Sequence, residues 1–212
     1  TGKLLHPDRT DYSLVDFNRS GLPLMELVTE PHLKSAQEAR VFAQELHLIL
    51  HYLNISDADM EKGQMRVEVN ISLSRNKKVG TKVEIKNLNS FRSVQRAIEH
   101  EIERQAKILS SGKKVIQETR GWDENREVTI SQRQKEEAHD YRYFPEPDLP
   151  SLHFSRNFIN EIKTEIPELP RQKRERLKRE YGLDEKSVEF FVYNKELGEY
   201  YEKAMSELRQ WI

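Results

Sequence analysis

Residues 64–73 read QMRVEVNISL and residues 81–86 read TKVEIK. Both alternate apolar side chains with polar or charged ones. In an extended strand, residues two apart share a face. If the two stretches pair, Arg66, Glu68, Asn70, Glu84 and Lys86 come to lie on one surface. Two neighbouring carboxylates repel each other unless a cation sits between them. Carboxylate oxygens are hard ligands of the kind Mg²⁺ takes, usually one or two per ion with phosphate oxygens completing the shell. Arginine and lysine suit those phosphates. The chemistry such a surface permits is the binding of a divalent cation and a nucleotide, with Arg66 and Lys86 as candidate phosphate contacts. The same spacing also fits a solvated outer face with cross-strand ion pairs, the ordinary condition of an antiparallel sheet. Spacing alone does not choose between the two.

The neighbouring elements must position these residues. Residues 12–17 and 22–29 read as short strands about a turn at 18–21. A helix follows from Ser35, which forms a capping box with Glu38; Ala39, Phe42, Leu46, Ile49, Leu50 and Leu53 make its apolar stripe. The loop SRNKKVG joins the two charged strands as a hairpin. A second helix starts after Asn89 or Ser90 and stops at Gly112, with Phe91, Val94, Ile98, Ile102 and Leu109 on its buried side. Residues 115–120 and 127–133 read as a further strand pair, and the prolines of DYRYFPEPDLP bar a helix at 140–150. Beyond Ile166 the pattern is helical, with starts at Pro167 or Pro170 and at Asp184 and a stop at Gly182. The expected architecture is α+β, an antiparallel sheet with packed helices over 1–164, followed by the start of an all-helical domain over 165–212.

Composition narrows the classes. Of 212 residues 33% are charged, yet the net charge is −1, so an anionic partner must be held by a local patch. There is no cysteine, which excludes disulfides and thiolate metal sites. No apolar run approaches the roughly 20 residues a membrane-spanning helix needs. Walker and dinucleotide-binding glycine motifs are absent, as is a nucleophile elbow. His47 and His51 stand four apart at helical spacing, which could chelate a metal, but no carboxylate motif accompanies them. RQKRERLKR at 171–179 holds six bases, either an RNA-backbone contact or a solvated helix face. In YRYF, Arg142 and Tyr143 could stack on an RNA end or pin a loop to the core.

Five segments in series, DFNRSGLPLMELVTEP, MEKGQMRVEVNISL, GTKVEIKNLNSF, QETRGWDEN and HDYRYFPEPDLP, resemble the B subunits of the aspartyl/glutamyl-tRNA(Asn/Gln) amidotransferases. The resemblance implies a glutamine-synthetase-like catalytic cradle. It implies an ATP- and Mg²⁺-dependent carbon–nitrogen ligase working in the cytoplasm or an organellar matrix, with no membrane association. The side-chain carboxylate of Glu-tRNA(Gln) or Asp-tRNA(Asn) is phosphorylated and then amidated by glutamine-derived ammonia. Misacylated tRNA and subunits A and C, in a heterotrimer, are the implied partners. Glu68 and Glu84 carry over as metal ligands; many members have Asp where Glu68 stands, so its longer arm shifts the metal or adds a water. Arg142 and Tyr143 fall in the region expected to face the aminoacyl end. An acidic H-x-E-E-D segment of the family would end just before Thr1, so the chain reads as the middle of a longer subunit, expected to lack kinase activity alone. The alternatives are a non-catalytic tRNA-binding or assembly module on the same scaffold and a ligase acting on a free small molecule.

Overall fold

Two units make up the chain, Thr1–Leu33 and Lys34–Ile212. The computed structural model describes residues 3–7, 10–18, 20–75, 79–134 and 150–211. In the first unit, β1 (Lys3–Leu5) pairs antiparallel with β2 (Leu14–Asp16), Leu4 opposite Val15. The turn after β2 is fixed by the Asp16 carboxylate accepting from the Asn18 N–H at 2.9 Å. The strand expected at 22–29 does not form. Pro23 offers no ladder donor, and no described strand pairs with this stretch.

In the second unit, α1 (Ala36–Tyr52) begins where expected, with Ser35 accepting from the Glu38 N–H at 3.1 Å. The return contact differs from a standard box: the Glu38 carboxylate accepts from the Lys34 N–H at 2.7 Å, one residue further out. The strands β3 (Val67–Ile71), β4 (Val83–Leu88), β5 (Glu118–Asp123) and β6 (Val128–Gln134) form one sheet in that order. Both expected hairpins are antiparallel. In the second, GWD extends the strand instead of turning, so the turn falls at 124–127. The join between the hairpins is parallel, β4 to β5 across α2 (Phe91–Ser110), a βαβ unit within the α+β fold. Ser90 caps α2.

One core lies between the sheet and the helices: Ile85, Leu88, Val94, Ala97, Ile98 and Trp122, closed by Ala36 at the start of α1. The other end of α1 enters a second core, where Leu48 and Tyr52 meet Leu177, Val188 and Val192. These last belong to α4 (Pro170–Tyr181) and α5 (Glu185–Tyr193), which start at Pro170 and after Asp184; Gly182, at φ +65°, ends α4 in the left-handed conformation. In the chain, between the last strand and α4, comes α3 (Arg156–Glu165), a helix not read from the sequence, capped by Ser155 and with no buried residue. The last helix is α6 (Lys195–Trp211). No described helix is long and apolar enough to cross a membrane.

Tyr52 ties α1 to α5: its hydroxyl donates to the Val192 carbonyl at 2.9 Å, within a side chain 2% exposed. Burial pushes its phenol up to about 12. Tyr52→Phe is therefore expected to cost about 1 kcal/mol at neutral pH, the net worth of one buried hydrogen bond. A folded pKa above the unfolded value near 10 means that the folded state holds its proton longer. Stability then falls as pH rises from about 10 to about 12. Urea titrations across that range should show a flatter alkaline decline in the Phe variant.

Candidate functional site

The alternation in β3 and β4 assigns the two sheet faces. Val69 pairs with Ile85 and Ile71 with Val83, on the core side; Asn70 pairs with Glu84 on the other. Between Val67 and Val69 the register shifts, because β4 carries one residue more than β3 there. That residue is accommodated by Asn87, at φ +64°. The bulge flips the parity of β4, so Leu88 rather than Asn87 returns to the core. It also sets Lys86 and Asn87 against the single residue Glu68.

The result is a cluster of three charges on the face away from α2. The Lys86 ammonium lies 3.3 Å from Glu68 Oε1 and 3.6 Å from Glu84 Oε1. Burial alone would lower the Lys86 pKa, but the two carboxylates outweigh it and hold the ammonium above its ordinary range. Glu84, on the inner strand, has a side chain 15% exposed, and Glu68 on β3 one 47% exposed. Glu84 Oε2 accepts from the Thr119 hydroxyl at 2.7 Å, across the parallel β4–β5 pair in which the two residues are in register. Gly121, next along β5 on this face, lies under the side-chain amides of Gln132 and Asn87, which would have to shift to admit a Cβ.

The residues singled out from the sequence can now be placed. Glu68, Glu84 and Lys86 are brought together. Arg66 precedes β3 and is exposed. Arg142 and Tyr143 lie outside the described residues. The rings of His47 and His51 lie tilted with centroids 4.5 Å apart, and Phe91 meets His47 edge to face. No group of three His, Asp or Glu side chains able to cage a metal occurs among the described residues. The basic run of α4 is partly committed within the protein. Arg174 bonds Glu45 and Glu189, Arg176 bonds Glu168 and Glu202, and Lys173, 5% exposed, pairs with Glu202. Half of its six bases thus hold helices together.

The polar groups that sequence reasoning missed lie beneath the sheet. Glu101 of α2 is fully buried. Its oxygens accept from Arg104 at 2.6 and 2.9 Å, from Gln105 at 2.9 Å and from Thr129 at 3.1 Å. Arg120 adds its guanidinium at 3.7 Å and donates to Glu118 at 2.6 Å. Burial by itself would raise the Glu101 carboxyl; the hydrogen bonds from Arg104 and Gln105 prevail and lower it. A signal was present: Val94, Ile98, Glu101 and Gln105 fall on one helical stripe, and the last two are polar at positions the period assigns to the core. On β5, adjacent residues thus serve opposite faces, Thr119 toward Glu84 and Arg120 toward Glu101.

The second unit thus sets a four-stranded sheet against helices on one side and carries a carboxylate–ammonium cluster on the other, an α+β arrangement. Residues 1–160 match the family described as the GatB/GatE catalytic domain, and the chain belongs to that family. Its relatives include proteins named as B subunits of aspartyl/glutamyl-tRNA(Asn/Gln) amidotransferases. That of Caldicellulosiruptor saccharolyticus is 52% identical over 206 residues, covering 96% of this chain and 43% of the relative. That of Persephonella marina is 53% identical over 207 residues, covering 97% and 43%. That of Thermotoga maritima is 47% identical over 223 residues, covering 100% and 46%. The chain thus spans somewhat less than half the length of the curated relatives it matches.

Proposed function

We propose that this chain supplies part of the ATP-dependent site of a tRNA-dependent amidotransferase, the enzyme that converts Glu-tRNA(Gln) to Gln-tRNA(Gln) or Asp-tRNA(Asn) to Asn-tRNA(Asn). Family membership supports the reading, and one observation carries it at the level of residues: Glu68 and Glu84 converge on a single cationic nitrogen on the open side of a rigid sheet. The donor set suits Mg²⁺. Two hard carboxylate oxygens are what that ion takes from protein when phosphates supply the rest. Lys86, 36% exposed, can leave the pair toward a phosphate without crossing a core. Bound Mg²⁺ would neutralise charge on the nucleotide's phosphates.

What this chain's residues do is position and screen. A carboxylate is a poor acyl donor because its leaving group would be oxide; phosphorylation provides a better one. The transfer is then mostly a matter of alignment and charge stabilisation. Glu68 and Glu84 would hold the cation, and Lys86 and Arg66 would meet the phosphates. Arg142 and Tyr143 are proposed to face the aminoacyl end of the tRNA. Ammonia from glutamine then displaces the phosphate. Subunits A and C complete the heterotrimer, and the cytoplasm or an organellar matrix is its place of work. In this reading residues 1–164 belong to the catalytic cradle and 165–212 begin the helical domain.

The test uses the intact enzyme with ATP and Mg²⁺. ADP release is expected to depend on Glu-tRNA(Gln) or Asp-tRNA(Asn). Equal release with free glutamate or aspartate in place of the aminoacyl-tRNA would overturn the reading in favour of a small-molecule ligase.

A further inference from the structure

We propose that Thr119 is a positioning residue for the cation site, its hydroxyl locking the Glu84 carboxylate so that one oxygen is committed to the sheet and the other is presented outward. The proposal rests on Glu84 being a cation ligand and goes beyond it by naming what orients that ligand.

A glutamate on a strand turns about three side-chain bonds, and in water each rotamer is accessible. Here Thr119 is 3% exposed, so its hydroxyl must find a partner within the protein. That partner is Glu84 Oε2, at 2.7 Å. The other oxygen, Oε1, is the one facing the Lys86 ammonium. The division of labour follows from the register, because β4 and β5 run parallel with Glu84 directly beside Thr119. A β-branched residue is stiff about χ1 in a strand, so the hydroxyl is itself held in place. Its own strand is held further: the next residue, Arg120, is bound to Glu118 of β5 and to Thr129 of β6 on the opposite face at 2.6 to 2.8 Å. Hydrogen bonds behind a metal ligand typically govern about 10- to 100-fold in metal affinity.

The test compares Thr119→Val, Thr119→Ser and Glu84→Gln in the intact enzyme, titrated with Mn²⁺ alone and followed by electron paramagnetic resonance. Valine keeps the branched shape and removes the donor; serine keeps the donor and removes the methyl. The site assigned to Glu84 is expected to weaken about 10-fold or more in Thr119→Val and to recover in Thr119→Ser. A merely structural role would give the reverse order, since serine loses the packing that valine retains. Should Thr119→Val fail to fold, Thr119→Ala carries the same expectation. Unchanged Mn²⁺ affinity in the folded hydroxyl-less variant, with Glu84→Gln abolishing it, overturns the role of Thr119 alone. Unchanged affinity in Glu84→Gln overturns the metal reading beneath it.

Discussion

Glu84→Gln is expected to reduce tRNA-dependent ADP release by the intact enzyme about 10²- to 10³-fold, with the fold preserved. The substitution keeps shape and leaves an amide oxygen able to accept from Thr119, so the β4–β5 contact survives. It removes a full negative charge from a side chain only 15% exposed. At an effective dielectric near 20, one unit charge about 4 Å from another is worth about 4 kcal/mol. That is about a thousandfold if it is realised in the transition state and less where water screens it. Glu68→Gln should cost less, because Glu68 stands on the edge strand β3 and its side chain is about half exposed. The order matters more than either value. A larger loss at Glu68 than at Glu84 would move the centre of the site off β4 and toward the sheet edge. Wild-type rates in both variants would reduce the cluster to a surface ion pair of the sort that contributes little.

The alternation at 67–71 and 83–85 was legible because a half-buried strand imposes a period of two on side-chain polarity. It supplied the face that Glu68, Glu84 and Lys86 share. It could not supply the bulge. Asn87 breaks the alternation, being polar at the parity of Val83 and Ile85, but the break alone does not say that the chain takes positive φ there and passes the core position to Leu88. The parallel join was hidden for a similar reason. Two hairpins separated by a helix read alike whether the second lies beside the first or apart, and only tertiary packing of α2 on the sheet decides. The run at 22–29 shows the converse: apolar, β-prone residues do not make a strand without a neighbour to share hydrogen bonds, and Leu24 stands 93% exposed. In α4, Lys173, Arg174 and Arg176 give no sign of their partners, because Glu45, Glu168, Glu189 and Glu202 come from four separate places in the chain.

The largest loss of stability is expected from Arg104→Met. Arg104 contributes both of its bonds to Glu101 from one guanidinium fork, and that carboxylate has no exposed surface. Loss of Arg104 leaves Glu101 with only the more distant Arg120 guanidinium, at 3.7 Å, and breaking a buried pair typically costs about 3–5 kcal/mol. The exposed helix pair Glu103–Lys107, whose side chains are 72% and 82% accessible, should by contrast contribute next to nothing. The pH dependence gives a second handle. Burial tends to raise the Glu101 carboxyl, and the bonds from Arg104 and Gln105 reverse that and lower it. A folded pKa below the unfolded value contributes stability above about pH 4.3, lost as pH falls through the folded value. With Arg104 gone, burial is opposed only by the bonds from Gln105 and Thr129 and by Arg120, so the carboxyl is lowered less and acid unfolding should begin at higher pH. Guanidinium or urea midpoints measured from pH 3 to 7 would show both effects. The double variant Glu101→Met/Arg104→Met should recover most of the loss, because Glu118 and Arg120 remain paired at 2.6 Å and no charge is stranded. If the double variant were as unstable as the single, the cost would lie in packing rather than charge. Because Arg120 leaves β5 toward Glu101 while Thr119 leaves it toward Glu84, a disturbed layer beneath the sheet should also loosen the carboxylate above it. Arg104→Met is therefore expected to weaken cation binding under conditions where the protein is still folded.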